Sequence, residues 1–236
     1  MSEPTAVNTQ EEDHWLSISD MMAGLMMIFL FISISYMLHV HTQQEKVREI
    51  AVTYSRLQNE LSMALLDEFR SDLEAWDATI DPQQLVVRFE APEVLFEAGS
   101  EKLKSGFKAI LTDFFPRYMT ILTRPAYRMD IEEIRIEGHT SSEWRDLDEG
   151  NTAYFNNMKL SQDRTRSVLR FILALEQLGE HREWLKAGLT ANGLSSSKTV
   201  RHIDGSENKE ASRRVEFRIR TNAEKRIVKI IEEAQR

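Results

Sequence analysis

One long apolar run near the amino terminus constrains this chain more than any other feature. Residues 21–40 contain no Asp, Glu, Lys or Arg, and Asp20 stands directly before them. As a helix, residues 16–40 would be about 37 Å long, which is enough to cross a bilayer core of about 30 Å. The preceding stretch is acidic and no clear cleavage site follows, which favours an uncleaved anchor over a signal peptide. We predict a membrane-spanning helix at residues 15–40, preceded by a tail at residues 1–14.

Asp20 has two interpretations at this position. A charged carboxylate within a bilayer costs about 3 kcal/mol on insertion scales, and such groups are usually kept for ion or proton movement. If the helix begins near Trp15, however, Asp20 lies little more than one turn inside it. It would then be an acid at the helix start, favoured by the helix dipole, with Ser17 or Ser19 as the cap. The spacing leaves both interpretations open.

Composition limits the remaining possibilities. The chain has 236 residues, a formal net charge of −8 and no cysteine. This length suits an anchor and one soluble domain, and the acidic balance argues against direct nucleic-acid binding. Without cysteine there is no thiolate metal site, and the two histidines at positions 39 and 41 are a weak metal or pH signal. We expect no metal and no cofactor. We also expect no enzymatic activity, because the sequence has no recognisable nucleophile arrangement.

The segment after the anchor, residues 41–80, is predicted to be a helical linker. Apolar residues recur there at alternating steps of three and four, as in the seam of a coiled coil. They are Val47, Ile50, Tyr54, Leu57 and Leu61. This pattern favours a homodimer. The apolar stripe then continues one step out of phase through Leu65, so the segment is equally compatible with an amphipathic helix lying on the membrane or on the domain.

Beyond Asp81 and Pro82 the pattern predicts an α/β domain at residues 81–222, followed by a helical tail at residues 223–236. Strand and helix periodicities alternate, which is typical of helices packed on one mixed sheet in an α/β sandwich. The predicted elements are a strand at 85–90, a helix at 100–122, a strand from 131, helices at 160–178 and 181–187, and strands at 189–193 and 213–220.

Five motifs of this domain resemble the OmpA-like peptidoglycan-binding domain over about residues 85 to 220. They are LFEAGSEKLK, IRIEGHT, Asn157-x-x-Leu160-Ser161-x-x-Arg164, LTANGLS and SRRVEFRI. The resemblance implies that the loop after the GHT strand and the start of the following helix recognise the diaminopimelate-bearing stem peptide. The binding residues that it implies are Thr140, Ser141, Asn156, Asn157, Leu160, Arg164 and Arg214.

The chemistry of these residues agrees with such a site. A helix start offers free backbone N–H groups, and an Arg in the first turn can bind a carboxylate through two hydrogen bonds. We therefore expect Asn157, Leu160 and Arg164 to form a carboxylate pocket, with Arg214 in support. The alternative for Arg164 is a surface ion pair with Asp163 or a neighbour.

The chain departs from the family pattern at one position. The family usually has Asp directly after GHT, where this chain has Ser141, followed by an inserted acidic stretch at residues 143–149. Since Ser141 carries no charge, either Glu143 takes over the role of that Asp, or the domain binds the wall more weakly or at a different feature.

The amino-terminal half has a resemblance of its own. Trp15 and Asp20 in the segment HWLSISDMMAGLMMIFLFISIS resemble the MotB class of stator subunits. The short acidic start, the Met-rich anchor and the S-S-E-W insertion are similar, more narrowly, to the MotB-like subunit of the Zorya anti-phage defence system. The resemblance implies a bacterial inner-membrane protein with its amino terminus in the cytoplasm and its domain in the periplasm. Charge alone points weakly the other way, because the first basic residues are Lys46 and Arg48.

The resemblance also implies partners and a function. Two copies would sit inside a ZorA-like, MotA-type pentameric ring and hold to peptidoglycan, signalling only indirectly to cytoplasmic defence effectors. We expect protons as the coupling ion and consider sodium less favourable, because Ser33 and Ser35 lie some 20 Å from Asp20. The alternatives are a passive peptidoglycan tether and a flagellar MotB-type stator, although a basic amino terminus would be expected for the latter.

Overall fold

The structure is a computed structural model. It describes residues 9–90, 92–144 and 151–222, together with Lys225, Val228 and Glu232. The chain divides into two compact units, one of residues 1–51 with 227–236 and the other of residues 52–226. Apart from those three single positions, the predicted tail at 223–236 lies outside the described residues.

The first helix, α1, extends from Thr9 to Phe69. It begins earlier than predicted, so Asp20 lies about three turns inside it rather than one. Ser17 and Ser19 are also helical, and neither can cap the helix start because a cap precedes the first turn. The prediction of a Ser cap beside Asp20 is therefore wrong.

The described part of α1 is long and apolar enough to cross a membrane. Its large apolar side chains from Met21 to Leu38 are between 47% and 73% exposed within the single chain. Such exposure within the described residues is expected for a helix that faces lipid or other membrane subunits. The single apolar amino-terminal helix that the sequence predicts is confirmed.

The end of α1 belongs to the second compact unit. Leu61, Leu65 and Phe69 have no exposed surface and are part of the hydrophobic core. Residues 52–80 of the predicted 41–80 linker therefore lie within this unit, which begins well before the predicted domain start at residue 81. Of the predicted dimer seam, Leu61 is used for core packing, so it cannot also line an interface between two copies.

The second unit contains one five-stranded mixed sheet with the order β1-β2-β5-β3-β4. Only β3 and β4 run parallel; the other pairs are antiparallel. The strands are β1 Ala78–Asp81, β2 Val86–Phe89, β3 Ile131–His139, β4 Leu189–Gly193 and β5 Arg214–Thr221. The helices are α2 Pro92–Leu95, α3 Ser105–Leu122, α4 Asn151–Leu173, α5 Arg182–Gly188 and α6 Lys209–Ser212, with a 3-10 helix at Glu176–His181.

The hydrophobic core fills one face of the sheet. The ring of Phe114 in α3 lies 5.2 Å from that of Phe89 in β2 and 5.3 Å from that of Phe217 in β5. The ring of Phe69, at the end of α1, packs on Phe114 at 5.1 Å. Alternation along the strands places Val215, Phe217 and Ile219 on this face and their polar neighbours on the other. The predicted fold class, an apolar helix followed by an α/β sandwich with a mixed sheet, is confirmed.

Candidate functional site

Helix α4 carries most of the predicted peptidoglycan-binding residues, but not at its start. It begins at Asn151, so Leu160 and Arg164 lie in the helix interior instead of the first turn. Backbone N–H groups there are bonded to carbonyls four residues earlier and are not available to a ligand. The prediction that these residues combine with a helix amino terminus is wrong.

The loop after β3, residues 140–144, is fixed to its surroundings at three points. The backbone N–H of Thr140 donates to the carbonyl of Ser195 at 3.0 Å. The side-chain amide of Asn157 donates to the carbonyls of Ser141, at 3.1 Å, and Glu143, at 2.9 Å. The backbone N–H and hydroxyl of Ser142 both donate to Glu207, the former at 3.0 Å. Thr140, Ser141 and Asn157, which the resemblance groups into one site, are therefore adjacent.

Two side chains of this loop differ in their surroundings. The Thr140 hydroxyl is buried and has no hydrogen-bond partner among the described residues. The Glu143 carboxylate, proposed to replace the missing family Asp, forms an ion pair with Lys209. Its charge is thus already partly compensated within the chain.

Arg164 lies on the same side of α4 as Asn157, about two turns further along. Its Nε donates to the carbonyl of Ser100 at 3.0 Å, and its guanidinium lies 4.9 Å over the ring of Phe96. The Asp163 carboxylate is bonded instead to Lys159 at 2.6 Å. Arg164 is partly exposed, as are the predicted binding residues Asn156 and Leu160. These three therefore retain a surface that a ligand can reach.

Arg214 is placed differently from its predicted role. It is 6% exposed, and its guanidinium donates to the Glu216 carboxylate at 2.7 Å and to the carbonyls of Lys198 and Ser212. Its bonds thus go to a buried charge cluster on the sheet face opposite the core. The members of this cluster are Arg88, Glu137, His139, Arg214, Glu216 and Arg218. Arg214 stabilises that cluster rather than the predicted carboxylate pocket.

His139 is the unusual member of the charge cluster. Its ring is fully buried, and neither nitrogen lies within 3.5 Å of a suitably placed partner among the described residues. Nε2 is 3.6 Å from a Glu216 oxygen and 3.9 Å from one of Glu137. Burial lowers the pKa of His139 below its ordinary value of 6.5, and the charge of Arg214 adds to this against the opposing effect of Glu216. The imidazole is therefore neutral at neutral pH.

Glu137, His139 and Glu216 also have the donor types of a metal site, with ligand atoms within 4.8 Å of one another. The surroundings do not suit a cation, however. Arg218 binds both carboxylates, at 2.9 and 3.0 Å, and Arg88 and Arg214 bind Glu216 as well. Three guanidinium groups surround the two carboxylates. A divalent ion would have to displace these guanidinium groups and would be repelled by their positive charge.

Asp20 lies on the exposed surface of α1, at the edge of the uncharged run. Its neighbours along the helix, Met21 and Met22, are 73% and 61% exposed. The carboxylate is thus not covered by any described residue, and it stands directly before the uncharged run.

Sequence analysis missed three residues that organise the 140–144 loop. Ser195 lies in the LTANGLS motif that carries part of the family resemblance, which was the only signal for it. Ser161 stands in the N-x-x-L-S-x-x-R motif, where its hydroxyl accepts from the Ser195 N–H at 3.1 Å. Glu207 lies in a polar loop far along the chain, and nothing in its local sequence links it to Ser142.

No protein-family model matches the chain. Among solved structures, similar folds include a putative MotB-like protein from Desulfovibrio vulgaris, with 24% identity and a TM-score of 0.46 over 76% of this chain and 99% of that one. The cell wall anchor of the type VI secretion system of Pseudomonas aeruginosa has 21% identity and a TM-score of 0.44, over 66% of this chain and 96% of that one.

The sequence relationship is much stronger. The Zorya protein ZorB of Escherichia coli is 49% identical over 224 residues, which cover 95% of this chain and 94% of that protein. A match of this length includes the apolar helix, the linker and the α/β domain, as the resemblance in both halves of the sequence predicted. The chain therefore belongs to the ZorB family.

Proposed function

We propose that this protein is the stator subunit of an ion-driven motor in anti-phage defence. The observation that carries the proposal is the relationship to ZorB along nearly the whole chain, combined with Asp20 at the end of an uncharged membrane-length run. In this proposal α1 crosses the bacterial inner membrane once. The amino terminus faces the cytoplasm and the sheet domain lies in the periplasm.

Asp20 is the proposed ion-binding group. An intramembrane carboxylate is costly when charged and gains by taking up a proton, so it can alternate between two states as its surroundings change. A membrane potential of about 100 mV supplies about 2.3 kcal/mol per charge moved, which is comparable to a modest conformational step. Protons suit this site better than sodium, because the described part of the membrane run offers few further oxygen ligands near Asp20.

The proposed assembly has two copies of this chain inside a ZorA-like, MotA-type pentameric ring. The partly exposed seam residues Val47, Ile50 and Tyr54 are the candidates for contact between the copies. Rotation of the ring around a fixed pair would convert ion flow into work, and defence effectors in the cytoplasm would respond indirectly. We propose no direct contact with nucleic acid, because the chain has a formal net charge of −8.

Peptidoglycan is the proposed fixed point of the stator. The face of α4 beside the 140–144 loop exposes part of Asn156, Leu160 and Arg164 within about two helical turns, and the buried Thr140 begins that loop. Arg164 provides a planar cation for a stem-peptide carboxylate. Ser141 supplies no charge for an amino group, so we expect weaker binding than in relatives with Asp at this position.

The proposal is tested by phage challenge of cells that carry the full defence system with Asp20→Asn in this chain. Asparagine preserves the shape of the side chain and removes the proton site, so we expect the complex to assemble at normal levels while protection is lost. A Ser19→Ala variant is the matched control and should protect fully. Full protection by Asp20→Asn would instead favour a passive tether to the wall.

A further inference from the structure

We propose that Asn157 is a positioning residue for peptidoglycan binding, which acts by holding the 140–144 loop and does not touch the ligand. The inference rests on the proposed wall-binding function and changes the role that the family resemblance gives to this side chain. It is carried by the hydrogen bonds of the Asn157 amide and by its burial.

An asparagine amide nitrogen has two hydrogens to donate. In Asn157 both are used, one on the carbonyl of Ser141 at 3.1 Å and the other on the carbonyl of Glu143 at 2.9 Å. Since carbonyls only accept hydrogen bonds, the nitrogen and not the oxygen of the amide must face them. No donor of this group is left for a ligand carboxylate.

The burial of Asn157 also supports a positioning role. Asn157 is 3% exposed, whereas the predicted binding residues Asn156, Leu160 and Arg164 on the same helix are partly exposed. A ligand on the surface of the domain can reach those three side chains, but it meets the 140–144 loop before it meets Asn157. The effect of Asn157 on a ligand must therefore pass through the loop backbone.

A second set of bonds holds the beginning of the same loop. Ser195 is fully buried, and its carbonyl accepts from the Thr140 N–H at 3.0 Å. Ser195 is itself bonded to α4, since its N–H donates to the Ser161 hydroxyl at 3.1 Å and its hydroxyl donates to the Tyr154 carbonyl at 2.7 Å. Helix α4 thus fixes the loop at Thr140 through Ser161 and Ser195, and at Ser141 and Glu143 through Asn157.

This arrangement gives the loop a defined shape before ligand arrives. Binding to a preformed loop avoids the entropy cost of ordering it, so loosening the loop should weaken binding without removing any ligand contact. Asn157 and Ser161 should then act alike, although neither is accessible to the ligand. Ser161 is 1% exposed.

The test uses the full-length chain in detergent with a soluble disaccharide stem peptide that contains diaminopimelate. Two variants are compared, Asn157→Leu and Ser161→Ala, with Thr152→Leu at an exposed position of α4 as the control. Ligand affinity, amide hydrogen exchange of residues 140–143 and the thermal midpoint are measured for each. A variant's affinity is measured below its own thermal midpoint, so that loss of fold is not mistaken for loss of binding.

We expect both variants to bind about tenfold more weakly and to exchange faster at residues 140–143, while β3 stays protected. The control should match the unaltered chain. Loss of binding in Asn157→Leu with unchanged loop exchange would overturn the inference, because it would indicate direct contact with the ligand. Faster exchange with unchanged affinity would overturn it as well. Failure of the unaltered chain to bind would instead remove the wall-binding function itself, and the exchange data would still show whether Asn157 holds the loop.

Discussion

Gly138 of β3 and Gly193 of β4 are paired with each other in the parallel part of the sheet, directly beneath α4. A Cβ atom on Gly138 would lie 2.9 Å from the carbonyl oxygen of Ser161, and one on Gly193 would lie 2.3 Å from the backbone nitrogen of Gln162. Both distances are shorter than the contacts that Cβ atoms make with non-bonded atoms in proteins. The two glycines therefore allow α4 to approach the sheet closely enough for Ser161 and Asn157 to bond with the loops at its edge.

This close approach predicts that Gly193→Ala is strongly destabilising. The new methyl group meets helix backbone, which cannot move aside as a flexible side chain could, so we expect a loss of about 3 kcal/mol in the free energy of unfolding. Gly106→Ala in α3 is the control, because nothing lies within 4 Å of its Cβ position, and it should be neutral or slightly stabilising. Denaturant unfolding followed by circular dichroism measures both. Equal effects of the two substitutions would contradict the packing described here.

The buried charge cluster makes a second prediction. Glu216 has a 1% exposed side chain and accepts from Arg214 at 2.7 Å and from Arg88 and Arg218 at 3.0 Å. In Glu216→Gln, Glu137 is the one carboxylate left in the cluster to balance three guanidinium groups. We expect the free energy of unfolding to fall by about 3 kcal/mol. Glu183→Gln, which removes an exposed partner of Lys186, should produce no measurable change. A stability like that of the parent in Glu216→Gln would show that the cluster contributes little.

The same cluster predicts loss of stability in mild acid. The folded pKa of His139 lies below 6.5, so unfolding takes up a proton, and the stability from the neutral ring is fully present above pH 6.5 and lost as the pH falls below it. Burial works to raise the pKa of Glu216, but His139 and Arg214 lower it by more, so its contribution is present above about pH 4.5 and lost at more acid pH.

Unfolding curves between pH 7.5 and 5 in the parent and in His139→Gln measure this effect. The parent should lose stability steadily below pH 6.5, and the variant should lose less over the same interval, because it has no buried imidazole to protonate. A parent that is equally stable at both ends of this range would contradict the assignment of His139 as a buried neutral group.

Substitution of Tyr118 is predicted to increase stability, unlike the substitutions described above. Its side chain is fully buried among the rings of Phe114, Phe115 and Phe217, and its hydroxyl has no hydrogen-bond partner among the described residues. Burial raises the pKa of this hydroxyl, as expected for a phenol among apolar side chains. Tyr118→Phe should stabilise the protein by about 1 kcal/mol, visible as a higher thermal midpoint. A lower midpoint would show that the hydroxyl has a partner, such as a bound water.

Much of the fold was predictable because hydrophobic periodicity is strong where the core is largest. Strand β3 begins at Ile131 as predicted, and the alternation of Val215, Phe217 and Ile219 marks the last strand. Strand β1 was missed because four residues, Ala78–Asp81, are too few to show a period. Its strand conformation is stabilised by antiparallel pairing with β2, which its local sequence does not reveal.

The start of α4 was harder to predict. Residues 151–159 include three Asn and one Thr, which have low helix propensity, and the clear helical periodicity begins only near Leu160. Tertiary bonds decide the outcome, since Asn157 faces the 140–144 loop and Tyr154 accepts from Ser195. This earlier start moved Arg164 from a helix end, where its predicted role depended on free backbone N–H groups, to a helix interior.

The charge cluster could not have been predicted at all. Arg88, Glu137, Arg214 and Arg218 occupy alternate positions on the sheet face opposite the core, where sequence patterns lead one to expect solvent. Their mutual burial depends on pairing between strands that are distant in the sequence. Arg214 was therefore assigned to ligand binding from its motif, although its bonds stabilise the sheet.

The central claim is that Asp20 carries the coupling ion, and proton flux tests it most directly. The chain would be purified with the proposed ZorA-like ring, reconstituted into vesicles and exposed to a pH gradient without sodium. We predict flux in the parent, reduced but measurable flux in Asp20→Glu and none in Asp20→Asn, because only the first two retain a titratable carboxyl. Flux in Asp20→Asn equal to that of the parent would contradict the account.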